Sequence, residues 1–310
     1  MITRFFFSCV SISALSLSAC AAEAPSQSDT PVPQAASASS MPGGLNAPDA
    51  AWRTVNPENL LVIETDYGKI GVELYPEIAP KHVEQIKTLT RQSFYDRITF
   101  HRVIEGFMNQ TGDPKGDGTG DSDLPDLQAE FTFRRDPGMA LTLTGAQPVD
   151  PRSPSKGELG VGFYKGLPVA SQPAAQAIMT KDGKVDAFGL HCKGVASMAR
   201  AQNPNSGNSQ FFLMRGTSPH LDTQYSIWGN TVMGHDVLTK IRVGSVGEDG
   251  FVPDAMKTVR IAADLPEAER PNVQVLKTSS PAFNQYMSTL KNPDGSYPEI
   301  CDISLPTRTL

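Results

Sequence analysis

The sequence predicts a mainly β fold, and three observations carry that expectation. Short runs rich in aliphatic and aromatic side chains, such as Leu60-Leu61-Val62-Ile63 and Gln210-Phe211-Phe212-Leu213, have the length of strands. Turn-forming clusters separate such runs, among them Asp66-Tyr67-Gly68 and Asn203-Pro204-Asn205-Ser206-Gly207-Asn208. Helical spacing of apolar residues is confined to short stretches beginning near Pro80, Met233 and Ser280. The 310 residues carry a formal net charge of -6 and no basic stripe that could neutralise phosphates, which argues against a nucleic-acid binder.

Taken in order, the chain opens with Arg4, an apolar run from Phe5 to Leu17 and small residues before Cys20, the pattern of an export signal over residues 1–19. Leu17-Ser18-Ala19-Cys20 resembles the lipobox of bacterial lipoproteins. That resemblance implies an acylated Cys20 that anchors the protein to a membrane without spanning it. The alternative is ordinary cleavage near Ala19, Ala21 or Ala22, with no lipid. Ala21 and Ala22 carry no Asp, which in enterobacterial lipoproteins marks inner-membrane retention. The expected location is therefore the bacterial envelope, on the periplasmic side, with the outer membrane favoured. Residues 20–57 are dominated, up to about Asp49, by Ala, Ser, Pro, Gln and Gly, which cannot bury enough surface to fold. They read as a flexible tether reaching about 30 Å. No later segment approaches the ~20 apolar residues of a membrane-spanning helix.

Folded structure is expected from near Leu60, with Leu60 to Thr65 and Lys69 to Leu74 forming a hairpin across Asp66-Tyr67-Gly68. Pro80 suits the first turn of a helix that carries Val83, Ile86 and Leu89 on one face. Phe100 to Gln110 reads as a strand, and Gly112 to Asp123 as a loop. A calcium loop counted from Asp113 fails there, because Lys115 and Leu124 fall where acidic ligands are required. Tyr225 to Gly229 reads as a strand, Met233 to Ile241 as a helix and Val259 to Ala262 as a last strand. Cys9 leaves with the signal and Cys20 takes lipid. Cys192 and Cys301 remain, either bridged or as free thiols, in a compartment that permits disulfides. His191 and Cys192 have no second pair with metal-ligand spacing, so no metal is expected. As neighbours in a strand they would point to opposite faces, which also disfavours a Cys-His nucleophile pair.

The run Phe100-His101-Arg102 leading to Gly106-Phe107-Met108-Asn109-Gln110, followed later by Ser209-Gln210-Phe211-Phe212, resembles the cyclophilin-type peptidyl-prolyl cis/trans isomerases. Gly118-Thr119-Gly120, Gly194 to Ala201 and Leu221-Asp222 agree in the same order. The resemblance implies a closed eight-stranded antiparallel β-barrel with two capping helices over residues 58–264. The family pattern stops between about 134 and 190, a large insertion in which Lys181-Asp182-Gly183-Lys184 looks like a hairpin turn. It ends again at 265, leaving a C-terminal extension to 310. There Ser280, Phe283, Tyr286, Met287 and Leu290 predict one amphipathic helix packed on the barrel.

By the same resemblance Arg102 and Gln110 are the catalytic residues, and Phe107, Met108, Phe212 and Leu221 line a proline pocket. Ala199, Arg200 and Gln210 flank the substrate backbone, and Gly118 sits at the groove edge. Two positions depart from the family pattern. His220 replaces a Trp associated with tight cyclosporin binding, which predicts weak binding of that drug, and Tyr225 replaces a His on the pocket rim. No cofactor is needed, because isomerisation only rotates an amide whose barrier is roughly 18–20 kcal/mol. The expected substrates are proline-containing, unfolded or partly folded exported polypeptides, met by a monomer. The rival readings are a chaperone of the same fold that grips such segments without turnover, and a purely structural envelope lipoprotein.

Overall fold

The computed structural model describes residues 47–149 and 158–310. The signal segment, Cys20 and most of the tether lie outside the described residues. The elements are β1 (Trp52–Thr54), β2 (Leu60–Thr65), β3 (Gly68–Leu74), α1 (Pro80–Arg91), β4 (Arg102–Ile104), β5 (Met108–Thr111), β6 (Phe133–Arg135) and β7 (Thr142–Val149). Then come β8 (Glu158–Tyr164), β9 (Leu167–Ser171), β10 (Val185–Gly189), β11 (Val195–Met198), β12 (Phe211–Met214), β13 (Ile227–Met233) and α2 (His235–Lys240). The chain finishes with β14 (Gly244–Ser245), β15 (Thr258–Ile261), β16 (Val273–Leu276), α3 (Pro281–Thr289) and β17 (Thr307–Thr309).

The main sheet has nine antiparallel strands in the order β14-β4-β5-β12-β11-β13-β3-β2-β15. This corrects the closed eight-stranded barrel: the sheet is a curled, open half-barrel whose edge strands are not paired with each other. The physical reason is the two-residue β14, which reaches no further than Val103 and Arg102 before the chain turns away. The segments preceding β4 and β15 do meet, through Arg97 N–H donating to Met256 O at 2.7 Å and Phe100 N–H to Asp254 O at 2.8 Å. Inside the curl Phe100, Phe211 and Trp228 share one apolar core with Val83, Ile86 and Leu89 of α1 and Val237 and Leu238 of α2. Pro80 opens α1 as expected, but Ala79 provides no side-chain cap. The Glu130 carboxylate does that work from a distant loop, accepting from the N–H groups of Lys81 at 3.2 Å and His82 at 3.1 Å.

Phe100 to Gln110 is a hairpin rather than one strand. Gly106 turns the chain with φ +67°, so β4 and β5 pair with Arg102 opposite Gln110. Folded structure begins before Leu60, because β1 pairs with β16 and Trp52 is buried. β1, β16 and β17 form a separate three-stranded sheet that the residue pattern did not announce.

The segment expected to be an insertion carries its own five-stranded sheet, ordered β6-β10-β9-β8-β7. Helix α3 is capped by Ser280, whose hydroxyl accepts from Phe283 N–H at 3.2 Å. It packs on this sheet and not on the half-barrel: Phe283, Tyr286 and Met287 join Leu159, Val161 and Phe163 in one cluster. The face expected to meet the barrel finds a nearer apolar surface on the insertion. Cys192 and Cys301 are joined in a disulfide with a Cα–Cα distance of 4.9 Å, tying the C-terminal extension to the segment before β11. Among the described residues no helix is long and apolar enough to cross a membrane.

Candidate functional site

The hairpin β4–β5 and strand β12 build the site. Register places Gln110 opposite both Arg102 on one side and Phe212 on the other. A relay of polar groups runs across these strands. Arg102 Nη1 donates to Gln110 Oε1 at 3.3 Å, and Gln110 Nε2 donates to Gln210 Oε1 at 3.1 Å. Gln210 Nε2 then donates to the carbonyls of Gly118 at 3.1 Å and Gly120 at 2.9 Å. Both amides are thereby fixed in orientation, while Arg102 is exposed.

Nine of the twelve expected residues line a single cavity of about 150 Å³. Met108, Phe212 and Leu221 form its buried apolar walls, with Phe107 and Ala199 half-buried beside them. Arg102 and Gln110 supply donors on one side. On the other, Tyr225 stands edge-on to Phe212 with ring centroids 5.6 Å apart. The Arg200 guanidinium lies 4.6 Å from the Tyr225 ring centroid and donates from Nε to Gln224 O at 2.9 Å, so it braces the rim.

Three expected residues stand outside that lining. His220 stacks on Phe107 at 6.0 Å. Gln210 acts through Gln110, as above. Gly118 adopts φ +89°, and its N–H reaches the carboxylate of Asp113, which also accepts from Lys115 N–H at 2.8 Å and Asp117 N–H at 2.9 Å. The loop that fails as a calcium site is thus folded around its own buried carboxylate. Among the described residues no cluster of His, Cys, Asp or Glu could hold a metal ion.

Sequence reasoning assigned no role to His191. Its buried ring approaches Asp222 Oδ1 through Nδ1 at 2.9 Å and Ser197 Oγ through Nε2 at 3.1 Å. It stacks behind Phe212 at 6.2 Å and meets Tyr225 edge-on at 6.4 Å. The only signal was Asp222, next to Leu221 in a matched motif. His191 and Cys192 lie between β10 and β11 and not within a strand, which removes the basis of the opposite-face argument. The Cys-His pairing fails instead because Cys192 is held in the disulfide.

His101, the neighbour of Arg102, is buried. Loss of hydration pushes its imidazole below the ordinary histidine value, against a smaller upward pull from Asp113. Burial thus disfavours the charged imidazolium beside Arg102. The exchange rate of an X-Pro peptide, followed by NMR, is expected to be flat between about pH 6 and 8. A steep sigmoid there would mean that a proton transfer takes part in the reaction.

The chain matches the family described as cyclophilin type peptidyl-prolyl cis-trans isomerase/CLD over residues 60–263. It is 35% identical over 222 residues to a probable peptidyl-prolyl cis-trans isomerase of Brucella suis biovar 1 (strain 1330), covering 67% of this chain and 85% of that protein. A probable peptidyl-prolyl cis-trans isomerase of Brucella melitensis biotype 1 matches to the same extent. Among solved structures, the cyclophilin AquaCyp293 from Hirschia baltica superposes with a TM-score of 0.73 at 36% identity, over 83% of this chain and 93% of that one.

Proposed function

The chain belongs to the cyclophilin-type peptidyl-prolyl cis-trans isomerases, and from that premise we propose how its cavity works and where in the cell it acts. The proline ring of an X-Pro segment enters between Phe107, Met108, Phe212 and Leu221, where an uncharged ring loses nothing by leaving water. Gln110, oriented by Gln210, receives the neighbouring backbone. Arg102 donates toward the prolyl nitrogen or the adjoining carbonyl as the amide twists. No covalent bond forms or breaks.

The twisted amide has lost its resonance and its nitrogen is pyramidal and basic, so a guanidinium donor beside it stabilises it more than the planar ground state. A barrier near 20 kcal/mol corresponds to about 0.01 per second, and lowering it by roughly 4 to 7 kcal/mol brings turnover into the ordinary enzyme range. The observation that carries this reading is the placement of Arg102 in the lining of the same cavity as the apolar side chains of Phe107, Met108, Phe212 and Leu221.

The substrates are exported polypeptides, met by a monomer anchored through a lipid on Cys20 to the outer membrane of a bacterial envelope. What supports this is the export-signal pattern and the Leu17-Ser18-Ala19-Cys20 sequence. Mass spectrometry of the N-terminal fragment of the full chain expressed in a bacterium tests it. A diacylglyceryl group on Cys20, and release of Cys20→Ala into the soluble periplasmic fraction, are expected; a soluble, unlipidated parent would overturn the anchoring.

A further inference from the structure

A second cavity, of about 270 Å³, lies against the wall of the first. Val161 and Ala170 of the insertion, together with Leu190, give it an apolar lining, and Cys301 of the disulfide-tied extension closes another side. The remaining wall belongs to the loop that also serves the proline cavity. Pro219 and Asp222 face the second cavity, while Leu221 between them faces the first. His191 likewise lines the second cavity and stacks on Phe212 of the first, with ring centroids 6.2 Å apart. The partition at that point is the stacked pair of His191 and Phe212.

The polar groups in that partition are already satisfied. Asp222 accepts from His191 N–H at 2.8 Å, and its Oδ1 lies 2.9 Å from His191 Nδ1, so the cavity does not call for a charged ligand. The exposed Glu299 at its edge disfavours acidic ones. An apolar pocket with few, engaged polar groups fits an uncharged aliphatic or aromatic side chain. The exposed residues Thr217 and Pro219 stand at its rim, and His220, the residue after Pro219, stacks on Phe107 at the first cavity. Pro219, His220 and Leu221 thus form a ridge between the two sites.

We propose that the second cavity is a specificity subsite of the isomerase, filled by a large apolar side chain, such as Leu or Phe, of the same polypeptide whose X-Pro bond occupies the first. An extended chain advances about 3.3 Å per residue, so the anchor is sought at positions two to four residues from the proline, which span roughly 7 to 13 Å. The proposal rests on the isomerase reading, and the test separates the two.

The full chain is titrated with short peptides of one X-Pro bond in an all-Ala background, with Leu placed in turn two to four residues to either side. Affinity and NMR exchange rate are read separately. Leu at one position is expected to tighten Kd by about tenfold or more over Ala. Thr217→Trp, which crowds the rim from an exposed position, removes that preference and leaves exchange of the all-Ala peptide unchanged. Ala170→Met, filling the cavity from the opposite wall, does the same. Equal affinity at every position, or a preference that survives both variants, overturns the subsite. A Leu preference without any acceleration of exchange keeps the subsite and overturns the isomerase reading instead.

Discussion

Replacing Arg102 by Ala lowers kcat/KM for an X-Pro peptide by about 100- to 1000-fold, the usual cost of removing one preorganised donor from a developing charge. Gly106 turns β4 onto β5, the register sets Arg102 beside Gln110, and the exposed guanidinium makes, among the described residues, one long hydrogen bond, to Gln110 at 3.3 Å. Because it holds nothing else in place, thermal stability should change by less than about 0.5 kcal/mol. Arg102→Lys is expected to be impaired too, since an ammonium is a point donor where a planar fork is needed. NMR exchange measured on parent and variants decides the matter. A variant within about threefold of the parent would show that the donor acts from elsewhere.

The second large effect concerns the tail. Breaking the Cys192–Cys301 bond, whose partners are 109 residues apart, frees a long loop in the unfolded chain. Removing such a constraint costs about 2 to 5 kcal/mol. For a domain of this size that lowers Tm by roughly 10 °C. Cys192→Ser, Cys301→Ser and the double variant should fall together in calorimetry without reductant, because one bond needs both sulfurs. Unchanged melting in all three would mean that the extension is held by its apolar contacts alone, those of Phe283 and Met287 with Phe163 and Val161.

Much of the site was legible because its signals are local. Arg102 and Gln110 lie eight residues apart, and Phe212 belongs to a run whose composition already suits a strand. Even so, the turn at Gly106 was read as the middle of a strand, since Glu105, Gly106 and Phe107 contain no Pro, Asn or Asp to mark a reversal. Where folding joins distant residues, the residue pattern was silent. Trp52 pairs with Leu276, the Glu130 carboxylate caps a helix begun at Pro80, and His191 meets Asp222 and Ser197 only once β11 and the loop after β12 are in place. The open half-barrel was hidden for a related reason. Whether a sheet closes depends on the length of its last strand, and Gly244-Ser245 carries no signal of where pairing stops. The destination of α3 was likewise decided by the insertion's own sheet, whose apolar face could not be located from spacing alone.

The small sheet of β1, β16 and β17 has a topological consequence. Its outer strands are the first and last strands of the described chain, set on either side of β16 and therefore about 10 Å apart. Arg308 of the last strand lies over the Trp52 ring of the first at 4.5 Å and pairs with Asp49 at 2.7 Å. The polypeptide thus traces a nearly closed loop through the fold. In a variant begun at Ala47, a linker long enough to return along and across β16 could join the last described strand to the first, and a new opening at the turn of Lys181 to Lys184 would produce a circularly permuted fold with the cavity, the disulfide and all three sheets intact.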